Sequence, residues 1–279
     1  MTQLVDGRAI AAAVAQRSAT AVAGLRAAGT VPALAVLLPT EDPGAAWYVR
    51  SIERAAARAG ISGQVHRLTG PAGPAEITGR LAGLSADPAV HGIICQTPLP
   101  PGSTLAAVGQ AIDVEKDVDG ANPASLGQLA AGLPGAFPPA TAAAVLEILR
   151  QEGVALRGRR AVVVGRSTVV GKPAALLLLA EDATVTICHS RTRELAAVCR
   201  EAEVLVVAAG RPGLIGPDHV APGAVVIDVG TNPLPGGGLA GDVATAAVTG
   251  IAGLLTPVPG GVGPVTTALL IQHTVDAAV

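Results

Sequence analysis

The stretch Gly165-Arg166-Ser167-Thr168-Val169-Val170-Gly171-Lys172-Pro173 carries residue types suited to holding a phosphate. It follows an apolar run, Ala161 to Val164, and precedes a helix-like run, Ala174 to Ala180. A glycine turn between strand and helix aims the backbone N–H groups of the helix N-terminus at an anion. The two glycines lie six residues apart, so this is not the common G-x-G-x-x-G, and taken alone it would serve equally as a structural turn. The next strand-to-helix turn, His189-Ser190-Arg191-Thr192, narrows the reading. NAD sites place an acid near there to bond the ribose 2′-hydroxyl, but here no acid occurs before Glu194. Ser190 and Arg191, with Arg166 reaching from the first loop, suit a 2′-phosphate instead, because the guanidinium fork matches phosphate oxygens. NADP is the expected cofactor, although solvated surface arginines would look the same in sequence.

The elements that would position these residues alternate along the chain. Helical patterns cover residues 7–28, Pro43 to Gly60 behind an Asp42 N-cap, and Pro74 to Leu84. Short apolar strands are expected at Ala33–Leu38 and Gly92–Cys95. In the second half they are expected at Ala161–Gly165, Thr184–Cys188, Val204–Val207 and Val225–Val229. This alternation predicts an α/β fold with largely parallel strands. The boundary is expected near Pro138-Pro139, ahead of a helix from Thr141. An N-terminal α/β domain, 1–138, is then followed by a Rossmann-like doubly wound domain, 139–263. The tail, 264–279, is read as a helix returning to the first domain.

Composition excludes several roles. A net charge of -2 with no basic block argues against nucleic-acid or membrane-surface partners. Aromatics are 1% against 50% hydrophobic residues, so the core must be aliphatic. Cys95, Cys188 and Cys199 show no CxxC spacing and no neighbouring His/Cys ligand set, so buried thiols are expected and no metal. No run reaches the ~18 apolar residues of a membrane span, and no signal peptide is expected, since Asp6 and Arg8 come before any apolar core. A cytoplasmic protein is expected.

Further segments carry a resemblance. The nucleotide loop has the form G-R-S-x-x-V-G-x-P. Gly92-Ile93-Ile94-Cys95-Gln96-Thr97-Pro98-Leu99-Pro100 and Lys116-Asp117-Val118-Asp119-Gly120 precede it. Asp228-Val229-Gly230-Thr231-Asn232, Gly241-Asp242-Val243 and Thr256 to Pro264 follow. In this order the chain resembles the methylenetetrahydrofolate dehydrogenase/methenyltetrahydrofolate cyclohydrolase family over nearly its whole length. The resemblance implies NADP-dependent oxidation of 5,10-methylenetetrahydrofolate to the methenyl cation, then hydrolysis to 10-formyltetrahydrofolate. It also implies a folate cleft between the domains and a homodimer.

Residue by residue, the resemblance makes Asp119 the pterin-binding carboxylate, Gln96 the glutamine beside the reacting carbon and Tyr48 the ring that packs on the folate. Gly165, Arg166, Ser167, Gly171, Lys172, Pro173, Ser190, Arg191 and Thr231 would hold the cofactor. Pro257, Gly260, Gly261 and Pro264 would let backbone approach substrate and nicotinamide, since glycine removes the Cβ obstacle. One position departs. The family's lysine, four residues after the tyrosine, is here Ile52. Positions i and i+4 share a helix face, whereas Arg50 and Arg54 lie about 160° and about 120° from Tyr48. Other departures fall mostly in the first half: Ala45, Ala140, Ala142, Ser125, Gln128 and His273 replace the usual residues. The expected outcome is a dehydrogenase whose cyclohydrolase step is weak or lost. A fully bifunctional enzyme, a non-catalytic folate or NADP binder, and a dehydrogenase of another folate-like substrate stay open at this stage.

Overall fold

The structure, a computed structural model, describes residues 1–70 and 72–279. The chain opens with β1 (Gln3–Leu4) and α1 (Gly7–Ala27) and closes with α10 (Val262–Asp276). Its residues group into two compact units: Ala12–Ala140 with Thr267–Val279, and Met1–Ala11 with Thr141–Thr266.

The first unit is built on a parallel three-stranded sheet. The strands β2 (Ala33–Leu38), β3 (Ser62–Arg67) and β4 (Gly92–Cys95) are ordered β3-β2-β4. The central strand, Ala-Leu-Ala-Val-Leu-Leu, is buried at every position, as a strand covered on both faces must be. Ala35 and Leu37 pack with Ile77, Leu81 and Leu84 of α3 (Pro74–Ala86). The opposite face meets α2 (Pro43–Ala59), since a Cβ on Gly63, in register with Leu34, would stand 3.3 Å from the Ala56 Cβ. Helix α2 starts where its sequence says. The Asp42 carboxylate accepts the Ala45 N–H at 2.7 Å, Pro43 needs no donor, and Gly60 closes the helix in the left-handed region. A short helix α4 (Leu105–Val108) and α5 (Pro123–Ala131) follow β4.

The second unit, entered through α6 (Ala140–Gln151), carries a six-stranded parallel sheet. Its strands are β5 (Arg160–Val164), β6 (Thr184–Cys188), β7 (Val204–Val207) and β8 (Val225–Asp228), with β1 and β11 (Leu254–Leu255) on one edge. A β9–β10 hairpin (Asn232–Pro233, Leu239–Ala240) and α9 (Thr245–Val248) lie between β8 and β11. The order is β6-β5-β7-β8-β11-β1. Helix α7 (Gly171–Ala180) follows β5, and α8 (Leu195–Arg200) follows β6. Succession reverses at β5: the chain moves from β5 to β6 on one side and returns to β7 on the other. That is the topological switch point where doubly wound sheets bind ligands.

The structure corrects two expectations from sequence. The assignment of 1–138 to one domain fails at its start, because β1 pairs in parallel with β11 and Met1–Ala11 groups with the six-stranded unit. The closing helix begins at Val262, ahead of the 264–279 tail expected to form it. Pro264 is no obstacle there, since the first helical turn needs no intrahelical donor.

Candidate active site

In the six-stranded unit the glycine loop leaves β5 and enters α7. Gly165 has φ +134, and a Cβ there would sit 2.2 Å from the Ala208 carbonyl oxygen. A Cβ on Gly171 would meet the Gly165 carbonyl at 2.2 Å. Both glycines are therefore required by close backbone approach. The Ser167 hydroxyl accepts the N–H groups of Val170 and Gly171 at 3.2 and 3.3 Å, so it closes the turn at the mouth of α7. The Gly165 N–H donates to the Cys188 carbonyl at 2.9 Å, which ties this loop to the end of β6. There Thr192 Oγ1 accepts the His189 N–H and His189 Nδ1 accepts the Arg191 N–H, making a compact turn that leaves Ser190 and Arg191 exposed. Arg166 and Arg191 have no ion-pair partner among the described residues. Two uncommitted guanidiniums beside a glycine-lined helix start fit a phosphorylated dinucleotide. Lys172 is exposed on the first turn of α7 and Pro173 is buried there.

Thr231 is exposed just beyond β8. Pro257, Gly260 and Gly261 form the turn after β11. Gly260 has φ +106, and a Cβ on Gly261 would lie 2.6 Å from the Pro257 oxygen. Gly7, which sequence gave no reason to single out, packs its α-carbon against this same turn: a Cβ there would fall 1.9 Å from the Gly261 oxygen. Asp228, wholly buried at the end of β8, accepts three backbone N–H bonds from Gly230, Asp242 and Val243. Burial nevertheless pushes its carboxyl up to about 6, with the neighbouring Asp242 charge adding to the rise.

In the three-stranded unit Gln96 and Asp119 emerge at the same end of the sheet. A parallel bridge between Ile93 and Asp117 runs the Lys116–Gly120 segment alongside β4. Three residues past Ile93 is Gln96, and two past Asp117 is Asp119. The Gln96 amide is half-buried and donates to the Thr97 carbonyl at 2.8 Å, leaving its own carbonyl oxygen available. Asp119 accepts the Ala140 N–H at 3.1 Å. Burial, opposed by that bond and assisted by the Asp117 charge, raises its carboxyl to about 7. Tyr48, half-buried on α2, shares a side-chain hydrogen bond with Thr267. Its phenol is pushed upward by burial and then by the Asp119 charge. Tyr48, Asp119 and Thr267 thus share one local environment.

The flanking motif residues shape the loop. Asp117, wholly buried, accepts the Ala121 and Asn122 N–H groups at 2.8 Å each and the Ser125 hydroxyl at 2.6 Å. Lys116 donates to the carbonyls of Ser85 and Asp87 at 2.8 and 2.7 Å, so it caps the end of α3. His273, buried, pairs its Nδ1 with the Val118 carbonyl at 2.9 Å and stacks near Phe137. A Cβ on Gly120 would strike Pro139 at 2.6 Å. The only signal in sequence of the roles of Lys116, Asp117 and Gly120 is the motif itself.

Ile52 is 1% exposed and sits on the buried stripe of α2 with Ala45, Val49 and Ala56. Arg50 and Arg54 are exposed. The chain contains only two lysines, Lys116 and Lys172. The first is committed to α3 and the second belongs to the six-stranded unit.

A doubly wound unit with a phosphate-type loop at its switch point, joined in one chain to an α/β unit presenting Gln, Asp and Tyr, defines a dinucleotide-dependent enzyme of two α/β domains. Residues 5–119 match the tetrahydrofolate dehydrogenase/cyclohydrolase catalytic domain, and residues 139–279 match that family's NAD(P)-binding domain. The chain belongs to the tetrahydrofolate dehydrogenase/cyclohydrolase family. It is 60% identical over 276 residues to the bifunctional protein FolD of Parafrankia sp. (strain EAN1pec), covering 99% of each chain. It is 56% identical to bifunctional protein FolD 1 of Rhodococcus jostii (strain RHA1), covering 100% of this chain and 93% of that protein. Among solved structures, the FolD enzyme of Campylobacter jejuni superposes with a TM-score of 0.96 at 37% identity, covering 100% and 99% of the two chains. The Trypanosoma brucei dehydrogenase-cyclohydrolase, solved with NADP and an inhibitor, gives 0.93 at 38% identity, covering 99% and 97%.

Proposed function

We propose that this chain oxidises 5,10-methylenetetrahydrofolate to 5,10-methenyltetrahydrofolate with NADP⁺ and that its cyclohydrolase step is weak or lost. NADP⁺ supplies the hydride acceptor. The chain's own part in that step is positioning, because a neutral methylene becomes a cation with no proton to remove. Ionised Asp119 accepts the pterin ring N–H and exocyclic amine, Gln96 borders the reacting carbon and Tyr48 packs on the ring. Gly165 to Pro173, Ser190, Arg191 and Thr231 hold the cofactor, and the turn of Pro257 to Pro264 admits substrate and nicotinamide.

Hydrolysis makes a different demand. A proton must leave water and another must reach nitrogen, and a placed side chain typically contributes 10²–10⁴-fold to such transfers. The observation that carries the proposal is Ile52: an aliphatic group fills the position of the family's lysine, and neither lysine in the chain is free in that unit. The bifunctional names of the relatives favour a second reading, in which Gln96 and water sustain hydrolysis. Enzyme-dependent decay of supplied methenyltetrahydrofolate, compared with buffer alone, decides between the two. Decay at the buffer rate supports the proposal, and decay far above it supports the second reading.

A cytoplasmic homodimer completes the proposal. The edge strand β6 exposes Thr184, Thr186 and Ile187, with Leu179 of α7 also exposed, which supports self-association. Among the described residues no helix is long and apolar enough to cross a membrane.

A further inference from the structure

Two motif aspartates, Asp228 and Asp242, have no part in the chemistry above. Asp228 and Asp242 are both wholly buried, and neither has an ion-pair partner among the described residues. Asp242 is satisfied by neutral donors alone. Its Oδ2 accepts the N–H groups of Ala209 and Gly210 at 2.6 and 2.9 Å. Its Oδ1 accepts the Arg211 N–H at 2.8 Å and the Asn232 side-chain amide at 2.9 Å. Three successive amides converge on one carboxylate because Gly210, at φ +64, curls the chain into an anion-binding nest. Asp228 in turn accepts the N–H groups of Asp242 and Val243, and so places Asp242. Glycines make the room: a Cβ on Gly241 would be 1.8 Å from Asp228 Oδ2, and one on Gly230 would be 2.6 Å from Asp242 Oδ1.

What the Asp242 carboxylate holds is the loop after β7. Ala208, its first residue, is the one whose carbonyl oxygen abuts Gly165. The loops after β5 and β7 are the two walls of the crevice at the switch point of the sheet. We infer that Asp242 is a positioning residue for the cofactor, its carboxylate fixing Ala209–Arg211 as the wall that faces the glycine loop. This rests on the reading that the dinucleotide lies over the glycine loop. An asparagine at 242 has the same shape, but its amide nitrogen would confront N–H donors and leave backbone amides unpaired.

The test is Asp242→Asn, with Asn232→Ala as a milder variant that removes one donor and keeps the carboxylate. Amide hydrogen exchange at Ala209–Arg211, NADP⁺ affinity by calorimetry and the KM for the folate substrate are measured together. In Asp242→Asn, exchange at those amides and the NADP⁺ Kd should both rise about tenfold or more, while the folate KM stays within about twofold. If that variant fails to fold, Asn232→Ala is read by the same criteria, with a rise of about threefold. Faster exchange with unchanged NADP⁺ affinity overturns the inference. So does an equal loss of NADP⁺ and folate affinity, which would mark a merely structural role. Arg166→Ala keeps the two readings apart: if it leaves NADP⁺ affinity unchanged, the placement of the cofactor over the loop is wrong, whatever Asp242 does.

Discussion

Replacing Ile52 with lysine should raise the hydrolytic step without disturbing the hydride step. Ile52 is 1% exposed on the face of α2 that meets β3 and β2. Full burial of such a side chain contributes about 1.5–3 kcal/mol. A lysine stem recovers part of that by lying along the same apolar wall. Helical side chains lean toward the helix N-terminus, so the amine would be carried toward Tyr48, one turn earlier, and toward Asp119, whose charge acts on Tyr48. A nearby carboxylate favours the ammonium, while burial favours the free amine. The expected net cost is about 1–3 kcal/mol, a fall in Tm of about 2–10 °C. Against that cost, a correctly placed proton-transfer group should speed hydrolysis by about 10²–10⁴. The assay follows disappearance of supplied methenyltetrahydrofolate, with NADPH formation from methylenetetrahydrofolate measured on the same preparation. Ile52→Met is the control, similar in length and without a titrating group. A folded lysine variant with no gain in hydrolysis would refute the assignment of position 52, and an equal gain in the methionine variant would refute the proton-transfer argument.

Other outcomes follow from the same geometry. If Asp119 holds the folate as a carboxylate, as proposed, then with burial raising it to about 7 the folate KM should climb toward tenfold per unit as pH falls below that value, and Asp119→Asn should flatten this dependence in initial-rate measurements. The sign for stability is the reverse. The raised pKa means ionisation costs the fold above the unfolded value, fully so beyond about 7, so the Tm gain of Asp119→Asn should be larger at about pH 8 than at about pH 5. Gly165→Ala would drive a Cβ to 2.2 Å from the Ala208 oxygen at φ +134; it should cost about 2–4 kcal/mol in denaturant unfolding and abolish NADP⁺ binding. Arg191→Ala should lower the preference for NADP⁺ over NAD⁺ by about 10–100-fold in kcat/KM, the worth of one charge-assisted bond to phosphate. An unchanged ratio would remove Arg191 from the site.

Much of the fold was legible because its strands are covered on both faces. Ala33–Leu38 and Val204–Val207 read as unbroken apolar runs and are buried throughout. Among the strands that sequence patterning missed, Ser62–Arg67 is an edge strand with no fully buried residue, so its residues carry no apolar signature. β1 escaped for another reason: two residues paired to β11 at the far end of the chain leave no local periodicity. The glycine loop could be read because its glycines are forced by neighbouring carbonyls and its helix start is local in sequence. The tasks of Lys116, Asp117 and Asp242 could not. Each works through bonds to backbone that only the folded chain brings near, and a motif names such residues without saying what they hold.

The most direct test runs the two steps in one reaction. Methylenetetrahydrofolate and NADP⁺ are mixed with the enzyme, and NADPH and methenyltetrahydrofolate are followed together. If Ile52 has removed the hydrolytic proton transfer, the two products rise in equal amounts and the methenyl signal persists, decaying only at the rate seen without enzyme. NADPH accumulating while methenyltetrahydrofolate fails to appear, with 10-formyltetrahydrofolate formed in its place, would contradict that claim.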